Sequence, residues 1–293
     1  MGAYSIKDLE RLSGIKAHTI RIWEKRYGLI DPTRTPTNIR TYSDAELKKL
    51  LNISILNRNG LKVSKIAELT SHEISSLVTK LTEDSKKPHS QLENLYLAMI
   101  DLDEIVFEKI LSRSIIQLGF ENMVIDLLYP FFKRIGVMWQ TGTVSPAQEH
   151  FISNLVRQKL VVAIDSMVVM ETENTKSFIL FLPENEWHEL GLLFMNYILK
   201  KRGHHVSYLG CSLPIESLES ITKLKTIDYL VTSIVGSMNE NDVDVYVKKL
   251  AATFPDKGIY LTGAQVQHLN SIPENVSISK QVTDFVQLID EIS

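Results

Sequence analysis

The last 118 residues carry short, nearly unbroken apolar runs separated by longer stretches of helical period. Ser177-Phe-Ile-Leu-Phe-Leu-Pro183 is one such run, and 204–209, 227–235, 258–262 and 276–279 are the others. Runs this short and this apolar predict strands buried on both faces. The segments 189–202, 214–224, 240–254 and 281–292 alternate with them and predict helices. Five strands with helices between them predict a doubly wound parallel sheet over 176–293. Pro214, Pro255 and Pro273 fall at boundaries, as that division requires.

Upstream the period changes to 3.6. Leu92, Leu95, Tyr96 and Met99 form one stripe, Ile105 to Leu118 continue it as far as Gly119, and Met123–Val137 and Pro146–Met170 follow. This predicts a four-helix bundle over 91–172. Residues 73–90, centred on Thr82-Glu-Asp-Ser-Lys-Lys-Pro88, have the polar composition of a linker. Residues 1–72 predict a winged helix-turn-helix. Ser5 caps a helix bearing Ile6, Leu9 and Leu12, and Ser13-Gly14 turns the chain. Lys16 to Arg26 form a basic second helix, with Ile20 and Trp23 expected in the small core. Asp31 to Tyr42 read as a wing hairpin, and Ser43-Asp44 cap a helix over 45–57.

Composition narrows the class. The single cysteine, Cys211, excludes an internal disulfide and fits a reducing cytoplasm. The N-terminus lacks a signal-peptide core and no apolar run reaches spanning length, so a cytoplasmic protein without a membrane partner is expected. The net charge of −3 hides an asymmetry. Residues 1–70 hold 13 Lys/Arg against 7 Asp/Glu, whereas the remainder holds 19 against 28. A basic head on an acidic body predicts a polyanionic partner, and Arg21, Lys25, Arg26 and the wing's Arg34 are placed to contact double-stranded DNA. With no Gly-x-Gly-x-x-Gly, a nicotinamide-type site is unsupported.

The candidate chemistry lies at a strand end. Glu186-Trp-His188-Glu-Leu-Gly191 follows the first apolar run, at the carboxyl edge of the expected sheet where ligands of such folds bind. Glu186 can accept a hydrogen bond from one ring nitrogen of His188 and direct the other to a metal. Gly191 is expected to allow a close backbone approach early in the helix. Ser233-Ile-Val235 and Thr262-Gly263 stand at two later strand ends, 41 and 26 residues on. This pattern resembles the cobalamin-binding domain, whose sequence is Asp/Glu-x-His-x-x-Gly, then Ser-x-Leu/Val, then Gly-Gly. The resemblance implies that His188 ligates cobalt from below and that Ser233, Val235, Thr262 and Gly263 line the cleft for the nucleotide tail. Thr262 stands where that family usually has Gly.

Ile20-Arg-Ile-Trp-Glu-Lys-Arg-Tyr-Gly-Leu29, Arg40-Thr-Tyr-Ser43 and Gly60-Leu61 resemble the winged-helix head of the MerR family. That resemblance implies DNA contacts by Arg21, Arg40 and Tyr42. The long dimerising coiled coil of many MerR proteins has no counterpart in a sustained heptad here. Trp139 followed after nine residues by Glu149-His150 resembles the cap bundle of light-sensing CarH-type regulators. It implies that Trp139 and Glu149 cover the adenosyl group of adenosylcobalamin and that His150 takes cobalt's upper face after photolysis. Together these imply a light-responsive repressor, not an enzyme, acting as a homo-oligomer, dimer or tetramer. Two alternatives are a cobalamin-dependent methyltransferase-like corrinoid protein, which the DNA-binding head argues against, and a MerR-type regulator that has lost cobalamin. His204-His205 are expected to be a solvated pair, and Cys211 to be structural.

Overall fold

The computed structural model describes residues 4–35, 38–84, 88–140, 144–168, 170–269 and 271–292. By packing, the chain divides into two compact units, 1–155 and 156–293. The sequence separates the head from the bundle; the packing puts both in the first unit.

In that unit, helix α1 (Ile6–Ser13) begins with a reciprocal cap. Asp8 N–H donates to Ser5 Oγ and Ser5 N–H donates to Asp8 Oδ2. Gly14, at φ 69°, ends it in the left-handed conformation that only glycine adopts without strain. Helix α2 (Ala17–Tyr27) follows, with Ile20 and Trp23 buried as the sequence predicts. The wing is a hairpin of β1 (Thr33–Arg34) and β2 (Arg40–Thr41). It closes on the chain start through Tyr4 and Tyr42, whose backbones exchange hydrogen bonds of 2.8 and 2.9 Å. Helix α3 (Asp44–Arg58) and the short α4 (Val63–Ile66) complete the head.

The stretch read as a linker is largely helical. Helix α5 spans Ser71–Asp84 and buries Ile74 and Val78. Its start is fixed by Thr70 and Glu73, which cap each other's amides at 2.8 and 3.3 Å. Sparse apolar positions at helical spacing, behind a capping box, outweigh the polar composition.

The bundle runs through α6 (Pro88–Asp101), α7 (Glu104–Leu118), α8 (Phe120–Met123), α9 (Tyr129–Gln140) and α10 (Pro146–Asp165). A π-helical turn, Val124–Leu128, joins α8 to α9. Tyr129 N–H bonds the carbonyl five residues back, at Val124, just before Pro130, which has no N–H to give. Tyr96, Phe107 and Phe131 are fully buried, with ring centroids 5.0 and 6.0 Å apart. The division between the two units falls inside α10.

The second unit is the expected doubly wound sheet. Strands β3 (Ser177–Pro183), β4 (His205–Leu213), β5 (Tyr229–Ser233), β6 (Gly258–Thr262) and β7 (Val276–Ile278) pair in parallel in the order β4-β3-β5-β6-β7. Helices α11 (Leu190–Lys201), α12 (Ile215–Leu224), α13 (Glu240–Thr253) and α14 (Val282–Ile292) connect and cover it. Ile179, Phe181, Leu230, Ile259 and Leu261 face one core with Leu218, Val247 and Leu250. Strand β4 slips register twice against β3, where Gly210 and Ser212 take φ of 80° and 55°. His204 is fully buried at the start of β4 beside Phe178, accepting from Lys176 N–H at 3.3 Å. Only His205 matches the solvated pair expected from the sequence; the close-packed Phe178 shuts His204 in.

Candidate functional site

The strand order reverses between β3 and β5, and ligands of open sheets bind at that crevice. The loop after β3 brings Glu186 and His188 there. Glu186 is 1% exposed, and both of its oxygens are occupied. Oε1 lies 2.5 Å from His188 Nδ1 and accepts from the amides of Trp187 and His188 at 3.0 and 3.2 Å. Oε2 accepts from three successive amides after β5, those of Val235, Gly236 and Ser237, at 2.8, 3.0 and 3.2 Å. Such a run of N–H groups is an anion nest. Burial pushes this carboxyl up, but the bonds from His188, Gly236 and Val235 together outweigh it and hold it well below the usual carboxylate range. An ionised Glu186 makes Nδ1 the donor, so His188 would meet a metal through Nε2. The His188 side chain is 61% exposed.

A second set of groups braces the loop. Glu189 accepts from Arg157 Nε at 2.5 Å and from Tyr208 O–H at 2.9 Å. Asn185 N–H donates to Ser212 Oγ at 3.1 Å, on the irregular part of β4. The sequence offers little sign of Arg157, Tyr208 or the 235–237 amides. The adjacent Gly236-Ser237, small residues directly after a strand, are the one hint.

The residues fit a planar corrinoid. A Cβ at Gly236 would meet His188 Cε1 at 3.4 Å, so the glycine leaves the imidazole its place. Among the described residues, and apart from its own helix backbone and chain neighbours, nothing lies within 4 Å of where a Gly191 Cβ would stand, which leaves space beside α11. At Gly263, φ is 113° and an added Cβ would collide with the Ile234 carbonyl. Ser233 is buried, Val235 and Thr262 are half-buried, and Ile234 N–H ties the two strand ends together through Thr262 O at 2.9 Å.

In the head, Arg21, Lys25, Arg26 and Arg34 are exposed, with Arg21 and Lys25 one turn apart on α2. Arg40 is held by both oxygens of Glu24 at 3.1 and 3.2 Å. Tyr42 is 1% exposed. The resemblance implies a DNA contact by Tyr42, whereas here its backbone bridges to Tyr4 and its side chain is buried. In the bundle, His150 Nδ1 lies 2.9 Å from Glu149 Oε2, and Ser153 Oγ donates to Glu149 Oε1 at 2.5 Å. His150 is 73% exposed. Trp139 falls within the α9 span, and its side chain lies outside the described residues.

Residues 4–73 match the model of MerR HTH family regulatory proteins, and residues 91–163 match that of the B12 binding domain. The HTH-type transcriptional repressor CarH of Myxococcus xanthus is 26% identical over 283 residues, covering 94% of this chain and 93% of that protein. The repressor CarA of the same organism is 25% identical over 293 residues, covering 94% and 96%. The monomethylamine corrinoid protein of Methanosarcina barkeri shares the fold, with a TM-score of 0.54 at 14% identity over 67% of this chain and 95% of that one. The chain carries a MerR-type helix-turn-helix and a B12 binding domain.

Proposed function

We propose that a chain joining a MerR-type head to a B12 binding domain acts as a cobalamin-dependent, DNA-binding transcriptional repressor that responds to light. The observation that carries the reading is Glu186. It fixes the His188 imidazole with one oxygen and the loop after β5 with the other, so that the free ring nitrogen is set to hold a metal. Bound adenosylcobalamin would supply a cobalt–carbon bond that light cleaves. A single imidazole is donor enough for a metal that arrives with four equatorial nitrogens of its own. His188 ligates through Nε2, Glu186 holds the tautomer, and Ser233, Val235, Thr262 and Gly263 receive the nucleotide tail. Trp139 and Glu149 would hold the adenosyl group, and His150 would hold the cobalt when that group is absent. Arg21, Lys25, Arg26 and Arg34 grip operator phosphates, and Arg40 joins them by exchanging Glu24 for phosphate. Loss of the adenosyl group loosens a homo-oligomer and so lowers DNA affinity, because tethered heads bind by effective concentration.

The test is an absorbance spectrum of the protein with adenosylcobalamin in the dark and after green light, alongside operator binding and sedimentation. The expected result is a red complex whose spectrum changes on illumination while DNA binding falls. A colourless protein that still binds DNA would identify a regulator without cobalamin. A red complex indifferent to light would leave a cobalamin sensor without the photoswitch.

A further inference from the structure

Where α3 of the head meets α6 of the bundle, a carboxyl group is shut in. Glu93 is 1% exposed. Its Oε1 accepts from Arg58 Nη1 at 2.7 Å and lies 3.0 Å from Ser54 Oγ. Ser54 Oγ also lies 3.0 Å from the Ser13 carbonyl, to which Arg58 Nη2 donates as well. Ser13 ends α1, directly before the Gly14 turn that launches α2.

A serine hydroxyl has one proton and cannot serve both the Ser13 carbonyl and an ionised Glu93. Protonation of Glu93 removes the conflict. The carboxyl O–H then donates to Ser54 Oγ, and Ser54 donates to Ser13. Ionisation favours the Arg58 pairing but leaves either Glu93 Oε1 or the Ser13 carbonyl with its Arg58 bond alone, because Ser54 can serve only one of them. Among the described residues, Arg58 from α3, the Ser54 hydrogen bond and Arg134 from α9 favour the charged form, and the Ser13 carbonyl brings no charge. Burial outweighs both arginines and pushes the carboxyl up to about 7.

We propose that Glu93, Arg58 and Ser54 form a proton-sensitive latch between head and bundle, closed over the turn that sets the recognition helix. Opening returns Glu93 to water and to an ordinary carboxylate, so closing takes up a proton. The added stability of the closed latch is full below the open-state value of about 4.5 and is lost as pH rises through about 7. Closure is then about tenfold weaker near pH 8 than near pH 6. The latch stands apart from the cobalamin reading and needs neither cofactor nor DNA to be tested.

The experiment is amide hydrogen exchange on the full chain, wild type against Glu93→Gln at matched pH, which cancels the intrinsic rate. Glutamine keeps the shape and removes the titration. The expected result is that amides of 91–99 and of the α1–α2 turn gain about tenfold in exchange, relative to Glu93→Gln, between about pH 6 and pH 8. A ratio that stays constant overturns the latch. Should Glu93→Gln not fold, a carbon-detected titration of Glu93 in the wild-type chain decides. A midpoint above about 6 supports the proposal and one below it overturns it.

Discussion

Single residues set the chemistry, and two of them give sharp tests. Glu186 holds the His188 ring by one hydrogen bond but holds the 235–237 loop by three, so removing its charge disturbs two strand ends at once. Glu186→Gln is expected to weaken cobalamin binding about 10–100-fold, and His188→Ala to weaken it further and to change the cobalt spectrum. Equilibrium dialysis with absorbance detection checks both; wild-type binding by His188→Ala would remove the ligand role. His204 tests burial. Its imidazole is held below the usual value, first by desolvation, then by Lys176 and His205. A depressed value means that the buried neutral form contributes stability above about pH 6.5, lost as pH falls toward the folded value. Urea unfolding of wild type is expected to show that acid limb, and His204→Gln to flatten it. The Glu-x-His pair was legible in the sequence because a strand end, a carboxylate and an imidazole lie within the six positions 183–188. Its nest was not, since the three amides are 49 to 51 residues away and carry no side-chain signature. Glu93 was invisible for the same reason, as its partners Ser54 and Arg58 come from another helix.

At the scale of elements, periodicity served best where apolar runs were dense. All five strands appear within a few residues of their expected bounds; β3, β5 and β6 are buried along most of their length, whereas the marginal β4 and β7 are only partly buried. Helix α5 was missed, because a sparse stripe of Ile74 and Val78 is easily outweighed by polar neighbours in a composition-based reading. Ile74→Ala is therefore expected to destabilise the first unit by about 2–5 kcal/mol in a denaturant titration, where a solvated linker would lose almost nothing. Recognition helix α2 and the wing differ in readiness. Arg21 is exposed, whereas Arg40 starts from an ion pair with Glu24. Arg21→Ala is expected to lower the log–log salt slope of DNA binding by about 1. Glu24→Gln, which releases Arg40, is expected to strengthen binding. An unchanged slope in Arg21→Ala would place the DNA surface elsewhere.

Across the whole molecule, head and bundle pack as one unit while the sheet forms another, so a signal arriving at the bundle already has neighbours in the head. The sheet itself bears on how copies of this chain can meet. An open sheet invites continuation wherever a regular strand is left with unpaired backbone groups. Here one margin is β4, thrown out of register by the left-handed Gly210 and Ser212, and the other is β7, three residues long. Neither presents a straight ladder for a foreign strand to read. Copies of this chain are thereby steered away from joining by strand addition. On the proposed light-dependent assembly, infrared spectra of the dark and of the illuminated protein are expected to show equal β content. A gain of intermolecular strand signal on assembly would mean that these blunted margins fail as guards against runaway polymerisation.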